Sequence, residues 1–164
     1  MARSDFLAHE DYCMAVAALA AKRSKDPETQ VGACIVNQEN DIVGIGYNRM
    51  PKDCDDDNLS WLRQGRNQWD TKYPYVCGAV LEAIMNKNGA DLKDCTVYVT
   101  LFPCTESDKL ILQAGIKKVE YLSDQYRDME MMAASKKFLK LAGIEFSQFQ
   151  PGVTTIPIDW TVNN

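Results

Sequence analysis

Histidine is nearly absent from this chain. The one copy, His9, precedes the first helical segment and reads as a solvated residue. Long apolar runs are missing too. None approaches the roughly 18 residues that a bilayer-spanning helix requires, which argues against a membrane protein of that kind. The first nine residues carry acid and no apolar core, so a secretory signal is not expected, and the expected location is intracellular and cytoplasmic. Positive charge is in deficit, with 18 Lys and Arg against 23 Asp and Glu and a net charge of −5. That balance opposes a surface that coats nucleic acid but leaves room for a local basic pocket that takes one small phosphate. Repeats, low-complexity tracts and linkers are also lacking. Residues 1–164 therefore read as one domain, long enough to bury a core.

Cysteine is the exception to this scarcity: Cys13, Cys34, Cys54, Cys77, Cys95 and Cys104. Without a secretory signal, six cysteines read as free thiols rather than as a disulfide framework. Cys13, Cys34 and Cys95 lie inside apolar periodic segments and are expected in the core.

Apolar periodicity predicts a helix over about 9–23 that stops at Lys25-Asp26-Pro27. Two β-rich runs, 31–37 and 41–48, flank Gln38-Glu39-Asn40 and predict a hairpin. Residues 49–74 are polar and irregular, with an acidic run at Asp55-Asp56-Asp57, which reads as a solvated loop before an Mg²⁺ site, and several aromatics. A loop this long in a small domain marks function or an interface. A helix is expected over 77–90, closed near Asn88-Gly89, then a strand over 96–101, a helix over 104–115 and a strand over 117–122. A further helix over 127–142 and a strand over 144–149 complete the pattern, with some extended structure possible at 153–159. The order α-β-β-α-β-α-β-α-β predicts an α/β fold, a mixed five-stranded sheet sandwiched by helices in three layers, whose later strands run parallel.

Two helix starts carry the chemistry. Tyr73-Pro74-Tyr75-Val76-Cys77 leads into one, and Leu101-Phe102-Pro103-Cys104 into the next. Zinc-dependent nucleobase deaminases place His-x-Glu and Pro-Cys-x-x-Cys at such starts, with three ligands on the metal and the Glu moving protons. Together with RSKDP (23–27), QVGACIVN (30–37), IVGIGYN (42–48), DTKYPYVC (70–77), AIMNKN (83–88) and QAGIKKV (113–119), these stretches make the chain resemble the deoxycytidylate deaminase family over most of its length. The resemblance implies the cytidine deaminase-like fold.

The chain departs from that pattern where the chemistry sits. Gly78 stands at the ligand histidine, Val80 at the catalytic glutamate and Ser107 at the second ligand cysteine, leaving Cys104 alone of the four. Without zinc, water keeps a pKa near ~15.7 instead of ~7, a loss of about 12 kcal/mol of activation. Loss of the proton shuttle typically removes a further ~10²–10⁴-fold. Substitutes are poor: Glu82 points away from Val80 along the helix, Glu106 reads as a partner of the helix dipole, and Cys77 reads as structural. The expectation from these positions is a catalytically inactive pseudoenzyme, with no cofactor and no zinc.

What the resemblance implies for binding is better kept. It places Asn48 against the sugar or base, Ser24 and Lys25 near a phosphate, the backbone of Ala79 at the base edge and Tyr126 at the pocket rim. An effector element is implied at Gly46, Tyr47, Asn48 and Arg49, where Arg49 either blocks an effector or adds a phosphate contact. Expected ligands are the deoxynucleotides dCMP, dCTP or dTTP. Expected assembly is a homo-oligomer, a hexamer among the options, or a hetero-oligomer with an active paralogue. Two alternatives stand beside the inactive binder: an active dCMP deaminase with a non-standard site, and a single-stranded nucleic-acid binder, which the acidic balance opposes.

Overall fold

The computed structural model describes residues 1–54 and 58–161. The Asp55-Asp56-Asp57 run therefore lies outside the described residues. Helix α1 (His9–Ala21) is followed by strands β1 (Gly32–Val36) and β2 (Ile42–Tyr47), then α2 (Ala79–Met85), β3 (Thr96–Leu101), α3 (Thr105–Gln113), β4 (Lys118–Ser123), α4 (Glu130–Leu141) and β5 (Glu145–Gln148). The sheet order is β2-β1-β3-β4-β5. β1 pairs antiparallel with β2 and with β3, whereas β3, β4 and β5 are mutually parallel. This is the mixed five-stranded sheet the sequence predicts.

Side-chain alternation along the strands divides the core in two. Cys34, Val36 and Tyr98 face α1 and pack with Cys13, Met14 and Ala17. Ala33, Ile35, Val97 and Val99 point to the opposite side, where Ala79, Val80, Ala83, Ile111, Met132 and Leu139 from α2, α3 and α4 cover them. Three layers result, because each strand residue and its neighbour bury opposite faces. Cys13, Cys34 and Cys95 are fully buried, and burial pushes the Cys34 thiol up to about 12.

Glycines of the hairpin, Gly32, Gly44 and Gly46, let helices approach the sheet closely. A Cβ at Gly32 would lie 1.8 Å from the Ala17 carbonyl oxygen, and one at Gly46 2.3 Å from the Ala83 nitrogen. Backbone meets backbone there, so α1 and α2 sit against the hairpin at a distance no larger residue permits.

Several boundaries differ from expectation. Helix α2 ends at Met85 with Asn86 as its cap, a few residues before the closure expected near Asn88-Gly89, where the chain does turn through positive φ of 50° and 80°. In the long loop a short 3₁₀ turn, Gln68–Asp70, is closed by reciprocal bonds between Asn67 and Asp70. Residues 153–159 form no strand. Among the described residues no helix is long and apolar enough to cross a membrane.

Candidate functional site

The two helix starts are held side by side. Cys77 exchanges backbone hydrogen bonds with Arg49, at 2.8 and 3.1 Å, which ties the approach to α2 to the end of β2. The Phe102 N–H donates to the Ser123 carbonyl at 2.8 Å and fixes the approach to α3. Gly78 and Cys104 are the N-cap residues of the two helices, both with extended backbone. They open on a cavity of about 340 Å³, which Gly78, Ala79, Val80, Cys104 and Ser107 line with Val99, Leu101, Phe102 and Met132.

Cys104 Sγ and Ser107 Oγ are 3.6 Å apart. A Cβ at Gly78 would meet only Ser107 Oγ within 4 Å, at 3.8 Å, so a side chain there would point into open space beside that pair. Val80 is buried with Ala79 and Ala83 and presents no polar atom. The helix starts thus keep the convergence and the room, with one thiol and one hydroxyl between them.

A second, polar group of residues lines the same cavity: Asp26, Thr29, Asn48, Arg63, Lys72 and Tyr126. Its centre is a buried ion pair, Lys72 Nζ to Asp26 Oδ2 at 2.5 Å. Asp26 Oδ1 also accepts the backbone N–H groups of Glu28 and Thr29, at 2.9 and 3.1 Å, and locks the turn after α1. Asn48 is clamped into this turn. Its Oδ1 accepts from the Val31 N–H at 2.8 Å, and its Nδ2 donates to the Thr29 carbonyl at 2.9 Å. Arg63 Nη2 donates to Thr29 Oγ1 at 2.6 Å and to the Tyr126 hydroxyl at 2.8 Å. The bonds from Thr29 and Arg63 hold the Tyr126 phenol below its ordinary range.

Asp108, in the first turn of α3, is fully buried. Ser135 Oγ lies 2.5 Å from Asp108 Oδ2 and 3.0 Å from the Pro103 carbonyl. One hydroxyl hydrogen cannot serve both acceptors. A protonated Asp108 resolves this by donating to Ser135, which then donates to Pro103. Burial raises the carboxyl from 3.8 to about 6, against the Ser135 bond, which lowers it. Stability from this group is full below its ordinary value and is lost as pH rises through about 6. Asp108→Asn is expected to be more stable than the parent chain at pH 7.5, by on the order of 2 kcal/mol, with the gain vanishing near pH 4. Melting temperatures of both chains across pH 4–8 check this; a constant difference would refute it.

Residues 7–123 match the family model of the cytidine and deoxycytidylate deaminase zinc-binding region. The chain belongs to that deaminase family. Mouse deoxycytidylate deaminase is 59% identical over 158 residues, covering 96% of this chain and 89% of its own length. The human deoxycytidylate deaminase is 56% identical with the same coverage. Among solved structures, the dCMP deaminase of cyanophage S-TIM5 shares the fold, with a TM-score of 0.68 at 22% identity over 85% of this chain and 96% of that one.

These findings correct the expectation of an inactive pseudoenzyme. High identity to curated deoxycytidylate deaminases over nearly the whole chain places it among enzymes. The expectation of a cofactor-free protein is corrected as well, since the matched region is the zinc-binding region of the deaminase family. Whether this chain's own donors fit the metal is a separate matter of chemistry. Catalytic zinc takes three protein ligands, and at the helix starts Gly78 offers none and Ser107 a neutral hydroxyl. Among the described residues no three His, Cys, Asp or Glu side chains converge to hold an ion. Cys104 and Ser107 alone do not fit that ligand set.

The other residues singled out from the sequence fall in three places. Ala79, Asn48 and Tyr126 line the cavity of this deaminase-family chain; Ser24, Lys25, Gly46, Tyr47 and Arg49 do not. Ser24 Oγ donates to the Asn48 carbonyl at 2.8 Å, and Arg49 Nε to the Met50 carbonyl at 3.1 Å. Glu106 is exposed and pairs with Lys109 at 2.6 Å. His9 is half-buried rather than solvated, its Nε2 3.4 Å from Cys13 Sγ. Sequence reasoning missed Arg63, Lys72, Thr29 and Asp26. Arg63 lies in the irregular 49–74 loop, Lys72 in the DTKYPYVC block and Asp26 in RSKDP, whereas Thr29 falls between the quoted segments.

Proposed function

We propose that the chain is a deoxycytidylate deaminase with a non-standard site, which hydrolyses dCMP to dUMP and ammonia. The observation that carries this reading is the 340 Å³ cavity that joins both helix starts to a polar, cation-bearing wall. An apolar pocket with a few convergent polar groups is what an amphipathic nucleotide needs. The names of the mouse and human relatives support the substrate. In this reading the Ala79 backbone meets the base edge, and the Cys104 thiol and Ser107 hydroxyl stand beside the reacting amino-bearing carbon. Asn48, braced by Ser24 behind it, shapes the sugar wall, and Tyr126 closes the rim. Of the effector element only Asn48 lines this cavity, while Gly46, Tyr47 and Arg49 do not, so control by dCTP or dTTP would act through β2 and its bridge to Cys77. A homo-oligomer and an intracellular location complete the reading.

The test is purified protein with dCMP and added zinc. Appearance of dUMP and ammonia in equal amounts is the expected result. No product at protein concentrations near those of dCMP would overturn it.

A further inference from the structure

Two cations reach the polar wall of the cavity, and their charges are balanced very differently. Lys72 and Asp26 have side chains only 6% and 2% exposed, 2.5 Å apart, so the lysine charge is neutralised within the fold. Among the described residues Arg63 is opposed by one carboxylate, Glu28, whose Oε2 lies 2.7 Å from Arg63 Nε; both side chains are about two-fifths exposed, at 37% and 42%. Despite that distance Arg63 Nε makes no aligned hydrogen bond. Glu28 is therefore an electrostatic neighbour without the directional grip that makes an arginine–carboxylate pair strong.

The surroundings of Arg63 suit a different anion. Thr29 Oγ1 and the Tyr126 hydroxyl sit against its Nη2, so a guanidinium fork and two hydroxyls converge on one place. The Arg63 guanidinium also lies 5.8 Å from the centre of the Tyr126 ring, which restrains its plane. Glu28 can leave without disturbing this arrangement, because Asp26 holds the turn through the backbone N–H groups of Glu28 and Thr29, not through the Glu28 side chain. A guanidinium flanked by hydroxyl donors is the chemistry that binds a phosphate monoester.

We propose that Arg63, with Thr29 and Tyr126, is the phosphate anchor of the cavity, and that the Glu28 carboxylate occupies the anion's place until phosphate displaces it. The anchor rests on the nucleotide reading above for the base it is joined to, but not for its affinity for phosphate.

The experiment compares four probes: dCMP, deoxycytidine, deoxyribose 5-phosphate and inorganic phosphate. Binding to the parent chain, Arg63→Gln, Arg63→Lys and Glu28→Gln is read by thermal shift and calorimetry. Arg63→Gln is expected to weaken dCMP and deoxyribose 5-phosphate about 10–100-fold and leave deoxycytidine unchanged. Arg63→Lys is expected to recover part of that loss, since it keeps the charge without the fork. Glu28→Gln should tighten both phosphate probes about 2–5-fold, an effect that a merely structural role for Glu28 would not produce. Unchanged dCMP binding in Arg63→Gln, or weakened phosphate binding in Glu28→Gln, would overturn the anchor. If no dUMP forms yet deoxyribose 5-phosphate still depends on Arg63, the deaminase reading fails and the anchor stands.

Discussion

Lys72→Met is expected to destabilise the protein by about 3–5 kcal/mol, the cost of leaving a buried carboxylate without its counter-ion. Asp26 is 3% exposed, and Lys72 Nζ lies 2.5 Å from its carboxylate. Its remaining bonds come from the Glu28 and Thr29 N–H groups and, at 3.4 Å, from Asn48 Nδ2. These donors satisfy the oxygens without cancelling the charge. At about 2–4 °C per kcal/mol for a chain of this size, the melting temperature should fall by roughly 10 °C. Urea unfolding measures the loss directly. The double variant Asp26→Asn/Lys72→Met tests the cause: asparagine keeps an oxygen for the two turn N–H groups while removing the stranded charge, so most of the stability should return. Additive losses would show that packing of the lysine stem, not charge, holds the turn.

That ion pair also marks the limit of what the sequence could disclose. The hairpin, the parallel half of the sheet and the three buried cysteines follow from local periodicity, where each residue's neighbours decide its place. The turn at Gln38-Glu39-Asn40 was legible because Asn40 tolerates its positive φ of 68°. The end of α2 was legible only to within a few residues, since Asn88-Gly89 marks the turn while the helix itself stops at Met85. The helix starts at Gly78 and Cys104 were legible as a frame from their Pro-rich approaches. The polar wall was not. Asp26 and Lys72 lie 46 positions apart, and Thr29 and Tyr126 97 apart. Neither pair belongs to a periodic element, so only the closed fold brings them together. Ser24 was legible as a polar residue near the pocket, but its hydroxyl is turned to the Asn48 backbone, a commitment that spacing does not encode. The inactive reading failed on a different ground. It rested on Gly78, Val80 and Ser107, whereas the identity to deoxycytidylate deaminases runs through nearly the whole chain.

Gly78→His combined with Ser107→Cys is expected to raise zinc affinity by more than ~100-fold over the parent chain, since each change adds a ligand where affinity already falls that far on loss of an outer partner alone. The structure supplies the conditions. A side chain at position 78 leaves the N-cap of α2 into space whose nearest neighbour is Ser107 Oγ at 3.8 Å, and Ser107 stands 3.6 Å from Cys104. A histidine and two thiolates from two adjoining helix starts make the three-ligand set that leaves a position open for water. Neither substitution touches the glycines that let α1 and α2 approach the hairpin, so the fold should tolerate both. Adding Val80→Glu places a proton carrier two residues on, at a position now buried with Ala79 and Ala83. That step is expected to cost stability unless metal or substrate engages the carboxylate, and to raise dCMP turnover by roughly 10²-fold or more over the double variant. Metal content by elemental analysis, zinc-dependent melting and dUMP formation separate the outcomes. Tight zinc binding without a rise in turnover would mean that the polar wall, not the helix starts, limits the reaction. No gain in zinc affinity would mean that the two helix starts do not hold their donors within one coordination sphere.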